Sequence, residues 1–207
     1  MVVALKKSDL YSSLWKSADE LRGGMDASQY KDYVLTLLFV KYVSDKAKSD
    51  PYSLIDVPEG GSFDDLIALK GAPDIGEKMN IAIRRLAEEN DLQGVINNAD
   101  FDDPNKLGEG KAMQDRLTNL ISIFQDIDFS GSRAEGDDLL GDAYEYLMRH
   151  FATESGKSKG QFYTPAEVSR IMAQVLEIPK DAPRSTTVYE TFIPRRIQTR
   201  ANYDLAA

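Results

Sequence analysis

Cysteine is absent from all 207 residues, which excludes a disulfide framework, a thiolate metal site and a cysteine nucleophile, and fits a reducing compartment. Histidine occurs once, at His150, so no histidine cage for a metal can be assembled. Its place near the end of an expected helix favours a dipole contact over catalysis. Long apolar runs are also missing. The longest, Val34 to Val40, is interrupted by Thr36 and is far shorter than the roughly 20 residues that span a bilayer. Met1-Val2-Val3-Ala4-Leu5-Lys6-Lys7 lacks the order of a secretion signal, so a cytoplasmic location is expected. Positive charge is in deficit: the formal net charge of -9 argues against a surface that grips nucleic acid throughout. Any DNA contact must be local or shared. The basic clusters at Lys41, Lys46 and Lys48, at Arg84 and Arg85, and at Arg195, Arg196 and Arg200 read as solvated faces or tail. Lys157 and Lys159 differ in lying beside the segment singled out below.

What is present points to a mainly α chain of one or two domains, with 42% apolar and 29% charged residues supplying an ordinary core and surface. Leu10, Leu14, Ala18 and Leu21 form the stripe of a first helix, with Tyr11 and Trp15 on its flank and Trp15 expected in the core. Gly23-Gly24 ends it. Asp26 caps a second helix along which Tyr30, Val34, Leu37, Leu38 and Val43 recur. Its middle is apolar nearly all round, the mark of a helix enclosed by neighbours, and it is expected at the centre of a bundle. A short helix from Ser62 to Lys70 follows an irregular connection. A longer one then carries Ile75, Met79, Ala82, Ile83 and Leu86 inward and Arg84, Arg85, Glu88 and Glu89 outward. Asn90 to Gly110 reads as loop. Met113, Leu117, Leu120, Ile121 and Phe124 make the next stripe, and the polar residues of this whole first part look like surface.

Residues 131–136, Gly-Ser-Arg-Ala-Glu-Gly, suit a domain joint. Beyond it Leu140, Ala143, Tyr144, Leu147, Met148 and Phe151 share one helical face. The chemically richest stretch comes next, Lys159-Gly160-Gln161-Phe162-Tyr163-Thr164-Pro165-Ala166-Glu167. Thr164 suits an N-cap, Pro165 the first helical position and Glu167 the reciprocal carboxylate of a capping box. Val168, Ile171, Met172, Val175 and Leu176 then define an apolar face, expected to be buried, until Pro179 stops the run. Free first-turn amides suit a small anion or carboxylate. Read alone, the pattern is also common helix punctuation in which a neighbouring aromatic packs as a staple.

Together with Leu139-Leu140-Gly141-Asp142-Ala143-Tyr144-Glu145-Tyr146-Leu147, the segment Gly160 to Pro165 resembles the start of the catalytic domain in modification (HsdM-type) subunits of type I restriction-modification systems. These are N6-adenine DNA methyltransferases. Leu14-Trp15-Lys16-Ser17-Ala18-Asp19 and Asp32-Tyr33-Val34-Leu35 resemble the opening of that family's helical N-terminal domain. The resemblance covers about residues 8–189 and implies a helical N-terminal domain over 1–130. It implies the first helices and first strand of a Rossmann-like α/β methyltransferase domain over 137–189, with an atypical tail over 190–207. It further implies that Gln161, Phe162, Tyr163, Thr164, Pro165 and Ala166 line an S-adenosylmethionine pocket. The implied partners are a specificity subunit and a restriction subunit, and DNA through the assembled complex; self-association is a further expectation, and no membrane is expected.

The chain departs from the family pattern after the expected strand Ser185 to Tyr189. The family has Asp-Pro and then spaced glycines; here Glu190-Thr191-Phe192-Ile193-Pro194 follows, and no glycine occurs after Gly160. Phe192 and Ile193 cannot replace glycines where backbone approaches a cofactor. The Asn-Pro-Pro-aromatic motif that holds a flipped adenine in the family is absent from the 207 residues. The expectation is therefore a truncated modification subunit that does not methylate by itself, with no catalytic residue assigned and S-adenosylmethionine belonging to the intact enzyme. The other reading is a non-enzymatic helical interaction module that binds DNA, a specificity subunit or itself.

Overall fold

A computed structural model describes residues 7–22, 25, 27–49, 55–129, 139–154, 166–177 and 179. Among these the chain is mainly α, with no strand and a single isolated bridge between Arg22 and Met25. The helices are α1 (Lys7–Leu21), α2 (Ala27–Ser49), α3 (Phe63–Ala68), α4 (Ile75–Glu89), α5 (Pro104–Leu107), α6 (Lys111–Gln125), α7 (Leu139–Glu154) and α8 (Ala166–Val175). The expected strand Ser185 to Tyr189 and the tail 190–207 lie outside the described residues.

α2 is the centre, with α1, α3, α6 and α7 packed around it. Its apolar residues explain why: Tyr30, Tyr33, Val34, Leu37, Leu38, Val40 and Val43 are all buried, on more of the helix circumference than one neighbour could cover. Leu10, Leu14, Ala18 and Leu21 of α1 are buried as their spacing predicts. So are Met113, Leu117, Leu120, Ile121 and Phe124 of α6, and Ile75, Met79, Ala82, Ile83 and Leu86 of α4, while Arg84, Arg85, Glu88 and Glu89 are exposed. α3 opens on a capping box in which Ser62 Oγ accepts the Asp65 N–H at 3.2 Å and Asp65 Oδ2 accepts the Ser62 N–H at 2.9 Å.

Several features differ from the sequence reading. A turn of helix, α5, interrupts the expected loop before Gly110. Asp103 caps it, Pro104 opens it and Leu107 is buried, so signals that break structure elsewhere here start it. The polar residues of the bundle are not all surface: Ser17, Thr36, Lys41, Ser44 and Asp45 are buried. Trp15 is half-buried rather than in the core. The apolar stripe of α8 is not buried either. Val168, Ile171, Val175 and Leu176 are 44%, 60%, 76% and 59% exposed, and Ala173 alone is buried among the residues of α8 from Val168 onward. The helical period is right, but no described helix packs closely on α8, so no described helix covers the stripe.

α7 packs most extensively on α2 and also on α1. Ala143, Leu147 and Met148 join the same hydrophobic cluster as the residues of α1 to α6. Tyr144, expected inward with them, is 38% exposed at the rim.

Candidate functional site

The segment with the richest expected chemistry is reached only at its edge. α8 begins at Ala166, where a helix start is expected, but Gln161, Phe162, Tyr163, Thr164 and Pro165 lie outside the described residues. Lys157 and Lys159 lie outside them as well. Among the described residues, no group of three or more His, Asp or Glu side chains is placed to hold a metal ion.

The polar chemistry that is described gathers on α2 and works structurally. Lys41 and Asp45, one turn apart, form an ion pair at 2.8 Å with side chains only 11% and 7% exposed. Asp45 Oδ2 also accepts the Phe129 N–H at 2.9 Å, which fixes the chain as it leaves α6. The Lys41 ammonium lies 5.4 Å from the centre of the Phe63 ring, and Ser44 Oγ accepts the Phe63 N–H at 2.8 Å. Thr36 donates to the Ile96 carbonyl at 3.0 Å, and Tyr33 donates to the Asp100 carbonyl at 2.8 Å. The second half of the loop after α4 is thereby tied to α2. Every buried side-chain nitrogen and oxygen among the described residues has a partner, as burial of polar groups requires.

Burial is the main cause that raises the Tyr33 phenol above its ordinary value, and the carboxylates of Asp103, Asp100 and Asp32 raise it further. Burial also raises Tyr144, with Asp32 adding to it, and raises Tyr146. The hydrogen bond from Lys78 is the largest influence holding Asp74 below the usual carboxylate range. Desolvation opposes ionisation of Asp103, yet the Asn105 backbone N–H and Lys106 leave it lowered. These shifts follow from packing, a local lysine–carboxylate pair and a cap. Among the described residues, none of them marks an acid and a base facing one reacting atom.

A line of rings joins α1 to α7. Tyr11 and Tyr146 stack with centroids 4.2 Å apart and planes within 2°. His150 tilts against Tyr146 at 4.4 Å and against Trp15 at 5.0 Å. The Arg22 guanidinium lies 4.6 Å over Trp15. Periodicity places each ring on its own helix but not opposite another ring, so this seam is not visible in the sequence. The one available signal is the fourfold spacing, Tyr11 to Trp15 and Tyr146 to His150, which puts each pair on one helical face.

The arrangement of helices has a counterpart. The crystal structure of a type I restriction-modification methyltransferase subunit from Streptococcus thermophilus superposes with a TM-score of 0.61 at 24% identity, covering 86% of this chain and 46% of that one. At that identity the likeness concerns the fold alone. The family profile described as the HsdM N-terminal domain matches residues 10–124, more than half of the chain. The chain belongs to the HsdM family. A second profile, N-6 DNA Methylase, matches residues 135–191. The relatives of this HsdM-family chain include the StySPI methylase subunit of Salmonella potsdam, 27% identical over 206 residues, 96% of this chain and 37% of the relative. The EcoKI methylase subunit of Escherichia coli K12 is 25% identical with the same coverage. The MjaVII methylase subunit of Methanocaldococcus jannaschii is 30% identical over 85% of this chain and 33% of its own length. The chain thus spans little more than a third of the curated relatives it matches. No described helix is long and apolar enough to cross a membrane.

Proposed function

We propose that this chain serves the modification side of a type I restriction-modification system, whose intact subunit transfers a methyl group from S-adenosylmethionine to adenine N6 in DNA. The observation that carries the reading is the order of two family matches along one chain, the HsdM N-terminal domain over 10–124 and then N-6 DNA Methylase over 135–191. In this reading α1 to α7 hold the subunit in its assembly with a specificity subunit, a restriction subunit and DNA. Gln161, Phe162, Tyr163, Thr164, Pro165 and Ala166 contribute to the cofactor pocket. A methionine carboxylate is suited to the first-turn amides of α8 and the Thr164 hydroxyl, and an aromatic face to the sulfonium or adenine. The residues fit the cofactor only in part, because no glycine follows Gly160 to let backbone approach it and no Asn-Pro-Pro-aromatic motif is present to hold a flipped base. The 207 residues alone therefore do not methylate. Calorimetric titration with S-adenosylmethionine is expected to give no binding tighter than roughly millimolar. Saturable micromolar binding, abolished by Thr164→Ala with Phe162→Ala, would instead mean that the pocket is completed and would revive an enzymatic reading.

A second reading has its own support. The core closes over α1 to α7 with every described buried side-chain polar group satisfied, which suits an interaction module that needs no cofactor. Co-purification with a specificity subunit by a chain carrying the Thr164→Ala and Phe162→Ala substitutions would favour this role; loss of co-purification would count against it.

A further inference from the structure

We propose that α7 is a coupling helix. It opens the stretch matched by the N-6 DNA Methylase profile, yet it folds and moves as one body with α1 to α6. The mechanical boundary between the helical body and the methyltransferase unit then lies after Glu154 and not at residues 131–136, where composition suggests a joint and where the two family matches divide.

The packing carries this placement. The first helix of an independent neighbouring domain would meet the bundle through a modest, largely polar contact and keep its apolar face for its own core. α7 does the opposite. Ala143, Leu147 and Met148 are 0%, 2% and 4% exposed within the cluster that α1 to α6 build, so removing the helix would open that core to water. The seam of rings adds a geometric constraint. It passes from Tyr11 on α1 to Tyr146 and His150 on α7, and returns to Trp15 on α1 with Arg22 above it. Stacked and tilted rings hold only narrow ranges of angle and separation, so sliding or rotation of α7 against α1 breaks several contacts together. Elements that share a core in this way open together rather than one at a time.

The coupling has a functional consequence, which rests on the function proposed above. Gln161 lies seven residues beyond Glu154. Any displacement of the helical body, on DNA or on a partner subunit, therefore carries with it Glu154, the end of the helix that leads in sequence to the cofactor-pocket segment.

Hydrogen exchange followed by mass spectrometry on the 207-residue chain, across a urea series, tests the coupling without any cofactor. Peptides covering Ala143 to Met148 are expected to open with the same free energy and the same urea dependence as peptides covering Leu10 to Leu21 and Val34 to Val43. Tyr146→Ala is expected to speed exchange about tenfold in α1 and α7 alike, while Tyr146→Phe keeps the ring and leaves both unchanged. An α7 that opens at lower free energy with its own urea dependence overturns the proposal. So does a Tyr146→Ala effect confined to α7. Where Tyr146→Ala does not fold, the unsubstituted chain and Tyr146→Phe decide. Micromolar cofactor binding or its absence bears on the function and leaves the exchange result untouched.

Discussion

Lys41 and Asp45 show how far a residue's role depends on its surroundings. One turn apart on a helix, they look like an ordinary surface pair, and such pairs contribute well under about 1 kcal/mol. Here they are buried, and Asp45 also holds the Phe129 amide. Asp45→Ala leaves a buried ammonium and a buried N–H without partners, so urea unfolding is expected to report a loss of about 3 to 5 kcal/mol. A loss below about 1 kcal/mol would place the pair in water. Tyr33 gives a prediction at the alkaline end. Its phenol is raised above the ordinary value of 10.0, so the folded state holds its proton more tightly than the unfolded state. That stabilisation is fully present below pH 10 and is lost as pH rises through the folded value. Stability measured against pH should fall above about pH 10, and Tyr33→Phe should remove part of the slope; an unchanged slope would assign it to other groups.

At the scale of elements, α7 and α8 carry the same kind of apolar stripe and meet opposite fates. Leu147 is 2% exposed and Ile171 is 60% exposed. Leu147→Ala is expected to cost about 2 to 5 kcal/mol in urea unfolding, whereas Ile171→Glu should change stability by no more than about 0.5 kcal/mol. A large loss from Ile171→Glu would mean that α8 is covered in solution. α5 makes the complementary point. Asp103-Pro104 reads as a chain breaker, and becomes a cap and first turn because Leu107 has a buried place to go.

For the whole molecule, charge sets what the chain does alone. A formal net charge of -9 opposes duplex DNA at every orientation except one that presents a local basic patch. In the basic cluster on α2, Lys41 is buried with Asp45 and Lys48 is engaged with Asp64, which weakens that candidate for such a patch. Fluorescence anisotropy with a labelled duplex at physiological salt is expected to give a Kd weaker than about 10⁻⁴ M. Micromolar binding would point to a DNA-binding face on the helical body itself.

The helical class, the apolar faces of α1, α4 and α6, the central place of α2 and the family were all legible in the order of residues. Period, caps and motif are local properties that a chain carries before it folds. Gln161 to Pro165 remain assigned by motif alone, since they lie outside the described residues. Tertiary structure alone decided that Lys41 and Asp45 are buried, that Tyr146 and His150 face Tyr11 and Trp15, that α7 completes the bundle core and that the stripe of α8 stays open. Each of these depends on which distant element arrives opposite a given face, and periodicity records that a face is apolar without recording what will cover it.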